Sequence, residues 1–214
     1  MLVGHYGAAF LAKAIEPRLP LPILAVAVQL VDVLWAVFVL LGLEHLRVDP
    51  SLPSNPLDLY HMPYTHSLVG ALAWAALAAG AVFAWRREWL AALVVGGSVA
   101  SHWLLDWVVH RPDLLLWSGS AKHGLGLWNF PVLALLLELL LLIASAVVWR
   151  RTRAVAGSRR RGVGVLVLAL VATQIVLTVG PPPVGPLAVA GLALALFAAV
   201  AWGAWRVDGR ASAV

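Results

Sequence analysis

Six runs of about twenty predominantly apolar residues fill this sequence, at roughly 20–43, 64–85, 88–110, 126–150, 161–180 and 186–206. A helix needs about 20 residues to cross the ~30 Å hydrocarbon core of a bilayer, and lipid offers no partner to an unpaired backbone amide. Runs of this number and length predict an all-α, polytopic membrane helix bundle with six long transmembrane helices. A further apolar stretch, 3–15, rises only ~20 Å as a helix and reads as a short N-terminal span or a re-entrant helix. Charged residues make up 12% of the chain, against about 25% in a soluble domain. Residues 1–214 read as one integral membrane domain, with the polar motifs in 1–125 and scaffold helices in 126–214. The opening MLVGHYGAAFLAK lacks the basic region of a signal peptide and reads as part of the fold. Pro181, Pro182 and Pro183 break the chain between the last two spans, and Gly157 and Ser158 sit in an arginine-rich linker.

The basic residues orient the bundle. Lys13, Arg18, Arg86, Arg87, Arg150, Arg151, Arg153, Arg159, Arg160, Arg161, Arg206 and Arg210 fall on one side under this topology; Arg47, Arg111 and Lys122 fall on the other. The positive-inside rule makes the first side cytoplasmic, so the arginine-rich 150–161 segment lies inside a bacterial-type inner (plasma) membrane. Trp85, Trp89, Trp149 and Trp205 on that side, and Trp117 and Trp128 on the other, fit aromatic belts. The net charge of +5 is spread over short loops, which speaks for anionic lipid and not nucleic acid.

Against this apolar background the polar side chains stand out. His102, Asp106 and His110, in SHWLLDWVVH, recur every four residues and so share a helix face. Ionisable groups at membrane depth are costly and are kept where they function. The topology brings His5, His61, His66, His102, Asp106 and His110 to the extracytoplasmic leaflet, with Asp32 deeper by ~10 Å. A cleft, or a first span that ends early, would bring Asp32 level. The chain has no cysteine, so any metal must be held by imidazole and carboxylate, a donor set that suits zinc and related divalent ions. His102 and His110 lie ~12 Å apart along a helix axis. The expected metal ligands are therefore His66, His102 and Asp106, with His5 and Asp32 completing the shell. His110 and His61 remain as general base or supporting groups.

Other polar residues read more plainly. Gln29 is an alternative hydrogen-bond partner for Asp32. Glu138, in LALLLELLLL, reads as a carboxyl bonded to a neighbouring helix. Glu44, His45, Arg47 and Asp49 read as a solvated loop, as do Asp113, Lys122 and His123, and Trp103 and Trp107 as interface anchors.

The order of these motifs resembles the YdjM-like family of membrane-bound metal-dependent hydrolases. Gly4-His5 comes first, Asp32 second, HMPYTHS (His61, Thr65, His66, Ser67) third, and SHWLLD (Ser101, His102, Asp106) with Leu115, Leu116 and Trp117 fourth. The match covers roughly residues 4–117. The acidic motif holds one aspartate in place of two, and Met62-Pro63 replaces the family's Arg-Gly. The resemblance implies a metal site and hydrolytic chemistry. With zinc as cofactor, the expected reaction is hydrolysis of an ester or phosphoester, with membrane lipids as neighbours and as substrate. A proton or metal-ion transporter that uses the same stripe, with Glu138 continuing the path inward, is the competing reading, and a bis-histidine haem protein a third. A homo-oligomer or another membrane partner stays open.

Overall fold

The computed structural model describes residues 1–153 and 157–209, as an all-α bundle with two short hairpins. The helices are α1 (Val3–Ile15), α2 (Leu21–Val28), α3 (Leu30–Leu40), α4 (Leu68–Arg86), α5 (Trp89–Val109), α6 (Pro131–Thr152), α7 (Gly157–Val179) and α8 (Pro186–Gly209). The hairpins are β1 (His45–Val48) with β2 (Leu57–His61), and β3 (Leu114–Leu115) with β4 (Lys122–His123). Five helices, α4 to α8, are long and apolar enough to cross a membrane. The first of the six expected long helices is instead two, α2 and α3, bent by 57° where they meet at Gln29. The fourth starts later than its apolar run: Leu127–Asn129 forms one 3-10 turn, and the helix begins with Pro131 at its first position, where a missing N–H costs nothing. Gly157, expected in a linker, begins α7.

α1 is short yet sits at the centre, packed on α6, α2 and α5. Gly7 makes this possible: a Cβ there would lie 2.7 Å from the Leu141 carbonyl oxygen of α6. Gly96 does the same between α5 and α4, facing Ala79 Cβ and the Ala75 carbonyl. Small residues let helix backbones approach in lipid, where packing must replace the hydrophobic drive. α8 closes over α2 and α3, and α7 lies against α6 and α8. Leu77, Leu168, Val176 and Leu192 point outward, as side chains solvated by acyl chains do.

Basic side chains tie one end of the bundle. Arg153 donates to the Ala14 and Ile15 carbonyls at 2.7 and 3.1 Å, and Lys13 to the Leu19 carbonyl and Asp208 at 2.6 and 2.9 Å. Arg18 pairs with Glu88 at 3.4 Å. The Arg159 side chain and Arg210 lie outside the described residues. Both hairpins are at the opposite end. Trp85, Trp89, Trp117 and Trp205 are exposed. Trp149 and Trp128, expected in the belts, are buried instead: Trp149 stacks on Phe10, and Trp128 packs on His110.

Candidate metal centre

Asp32 reaches the other polar residues because its span is broken. Gln29 leaves helical geometry (φ −108°, ψ 6°), and α3 restarts with Asp32 in its first turn, where a carboxylate suits the helix dipole. Gln29 does not bond Asp32; its Nε2 donates to the Leu2 carbonyl at 3.0 Å. The break removes the depth mismatch expected from a continuous helix.

Asp106 is the hub. Its Oδ1 lies 3.0 Å from His5 Nε2 and 2.6 Å from the Met1 backbone nitrogen. Its Oδ2 faces the Nε2 atoms of His102, His110 and His66 at 3.0, 3.5 and 3.7 Å. Asp32 Oδ1 adds distances of 3.2 Å to His66 Nε2 and 3.5 Å to His102 Nε2. Two triads place one ligand atom each within 4.8 Å of one another: His5, Asp32 and His102, and His66, His102 and Asp106. Thus the structure brings together all five expected metal residues. His5 and His102 have no exposed surface, whereas the Asp32 side chain is 17% exposed.

The far nitrogen of each imidazole is anchored. His102 Nδ1 lies 2.7 Å from the Val28 carbonyl and His110 Nδ1 lies 2.8 Å from Asp113 Oδ1. A carbonyl or carboxylate oxygen only accepts, so both Nδ1 atoms carry a proton, and in its neutral form each ring presents an Nε2 lone pair to the carboxylates. His66 Nδ1 lies 2.8 Å from Thr65 Oγ1. His102 Nε2 is buried without a hydrogen bond despite its closeness to Asp106, and His5 Nδ1 is likewise unpartnered. Lone pairs aimed at carboxylates repel unless a proton or a metal ion stands between them, and imidazole nitrogens and carboxylate oxygens gathered this closely fit a divalent ion. Metal-binding histidines usually donate their other N–H to a carbonyl or carboxylate, as here.

His110 lies beside Asp106 but outside both triads. α5 ends at Val109, and His110 turns into an extended conformation (φ −62°, ψ 146°). Its ring therefore swings back toward Asp106, pinned by Asp113 and covered by Trp128 at 4.1 Å. His61 is not brought to the cluster: it is exposed at the end of β2 and stacks on His45. Glu138 Oε2 accepts from the amides of Leu2, Val3 and Gly4 at 2.9, 3.0 and 3.3 Å, capping the first turn of α1, which carries His5.

Several contributors escape the sequence reading. Glu44, expected in solvent, is fully buried and accepts from the Tyr64 and Thr65 amides and the Thr65 hydroxyl. Trp103, expected as an interface anchor, is buried and donates to the His66 carbonyl at 3.1 Å. Asp113 orients His110. Only Asp113 carried a local signal, three residues after a histidine that ends a helix.

No family model, curated protein or solved structure matches the chain. Fold and cluster together define its class: a polytopic helical membrane protein whose buried histidines and aspartates can hold a metal ion.

Proposed function

We propose that this protein is a membrane-embedded, metal-dependent hydrolase that cleaves an ester or phosphoester, with membrane lipid as substrate. The observation that carries the reading is the convergence of His66 and His102 Nε2 on Asp32 and Asp106, with His102 held by an anchor that only accepts. His102 belongs to both triads, and one Nε2 lone pair serves one ion, so the reading is a single ion. Zinc suits this nitrogen and oxygen donor set. A divalent ion held there supplies Lewis acidity to a carbonyl or phosphoryl oxygen.

His110 has the geometry of a proton carrier. Asp113 holds its Nδ1–H, which leaves Nε2 free to take a proton from an attacking water and return it to the departing alcohol oxygen. His5 stacks on His102 at 3.8 Å and keeps that ring in place. Asp32, the partly exposed member, is the side from which substrate approaches.

The basic end belongs in the cytoplasm by the positive-inside rule, which puts the cluster at the extracytoplasmic leaflet of a bacterial-type inner membrane. The motif order supports kinship with the YdjM-like hydrolases. Glu138, the residue a conducting path would need, is occupied by three amides, which favours hydrolysis over transport.

The test is turnover by purified protein in vesicles of phosphatidylethanolamine and phosphatidylglycerol, with products read by mass spectrometry. Cleavage that stops on chelation, returns with zinc and falls about 10²–10⁴-fold in His110→Gln supports the proposal. Cleavage indifferent to chelator, or absent from zinc-loaded protein across ester and phosphoester lipids, contradicts it.

A further inference from the structure

We infer that Glu44, acting through the Thr65 hydroxyl, fixes which nitrogen of His66 carries the proton and so turns His66 into a metal ligand. Glu44 is a positioning residue for the proposed centre, and the inference rests on that reading. Glu44 follows α3, where its amide and that of Leu43 both bond the Phe38 carbonyl. Its Oε1 accepts from the Tyr64 and Thr65 amides at 2.8 and 2.9 Å, and its Oε2 accepts from Thr65 Oγ1 at 2.6 Å. One buried carboxylate thus closes the base of the β1–β2 hairpin and holds the turn that delivers His66.

The direction of the hydrogen bonds follows from counting protons. A hydroxyl has one proton, and that of Thr65 is committed to Glu44. Thr65 Oγ1 can then only accept from His66 Nδ1, 2.8 Å away. His66 is therefore protonated on Nδ1, and its Nε2 lone pair faces Asp32 at 3.2 Å and Asp106 at 3.7 Å. The Trp103 indole holds the His66 carbonyl, and Trp35 meets the ring edge-on, so the imidazole has little freedom to turn away. All three histidines around Asp106 Oδ2 thereby receive the same arrangement, from a carbonyl, a carboxylate and a carboxylate relayed through a hydroxyl.

Glu44→Gln reverses this polarity at nearly constant shape. The amide oxygen introduced by the substitution keeps the two backbone donors, and the new NH₂ group donates to Thr65 Oγ1. The Thr65 proton then turns to His66 Nδ1 and moves the ring proton to Nε2, where it blocks the lone pair. Thr65→Val removes the relay, whereas Thr65→Ser keeps it.

Two readouts test this on the full-length protein. In metal-free protein, ¹⁵N spectra of labelled histidine, with His66 identified by its loss in His66→Gln, should show the Nδ1–H form in wild type and Thr65→Ser, and the Nε2–H form in Glu44→Gln. In zinc titrations, Glu44→Gln and Thr65→Val should bind about 10–100-fold more weakly than wild type, and Thr65→Ser within about twofold. An Nε2–H form of His66 in wild type, or wild-type zinc affinity in Glu44→Gln, overturns the inference. Wild-type protein that binds no zinc would remove the metal reading, while the spectra of metal-free protein would still decide the relay.

Discussion

His102 on α5 donates its Nδ1–H to the carbonyl of Val28, the last residue of α2, at 2.7 Å. A helix end leaves its final carbonyls without partners inside the helix, and at membrane depth water does not supply them. Here a side chain of the polar cluster satisfies one. The break that brings Asp32 level with the histidines and the anchor that orients His102 are thus one arrangement.

This arrangement predicts a stability effect independent of metal. With chelator present, His102→Ala should lower stability by about 1–3 kcal/mol, because the Val28 carbonyl loses its partner. His102→Asn offers an NH₂ near the position of Nδ1 and should recover most of that loss without restoring metal binding. Thermal unfolding in detergent compares the three. Equal stability of wild type and His102→Ala would remove the anchor from the account.

Glu138 should matter through α1. Glu138→Ala strands three amides next to His5, and leaving buried donors without an acceptor costs about 1–3 kcal/mol. Glu138→Gln keeps a carbonyl acceptor and should cost less. Amide exchange at residues 2–5 should accelerate most in the alanine variant; unchanged protection would mean that α1 is held elsewhere.

Gly7 sets the approach of α1 to α6. Gly7→Val must displace the Leu141 backbone, and overpacking of this kind costs about 1–3 kcal/mol. Gly97, whose Cβ would meet nothing within 4 Å, should accept Ala with little change. A thermal melt of the two variants tests the contrast.

At the basic end, Glu16 accepts from the Arg18 side chain and amide, and the Arg18 hydrogen bonds hold its carboxyl below the usual glutamate range. A lowered carboxylate pKa stabilises the fold above the ordinary glutamate pKa, and that contribution disappears as pH falls through the lowered value. Glu16→Gln should flatten this part of the acid-unfolding profile, which circular dichroism from about pH 2 to about pH 6 would record; an unaltered profile would show the pair to be inert.

Hydropathy alone made the bundle legible, because run length in lipid leaves the backbone no alternative to helices. The cluster was legible because histidine and aspartate are rare at that depth and repeat at helical spacing. The break at Gln29 was not: LPILAVAVQLVDVLW has no internal proline or glycine at the bend, and the partners that tolerate it, Leu2 and His102, are distant in sequence. Glu44 was hidden for the same reason, since its donors lie 20 and 21 residues away. His45 and Arg47, expected in a solvated loop, instead pair with residues of 57–61 as a hairpin, and the hairpin removes His61 from the cluster. Helical rise set His110 apart from the ligands, and His110 stands outside both triads, although α5 ends one residue before it.

The metal content of purified protein tests the central claim most directly. Elemental analysis after zinc loading and desalting should find one ion per chain in wild type, and less than a tenth of that in His102→Ala and in Asp106→Ala. Wild-type protein without stoichiometric metal, or either variant retaining the full complement, would contradict a metal centre built on Asp32, His66, His102 and Asp106.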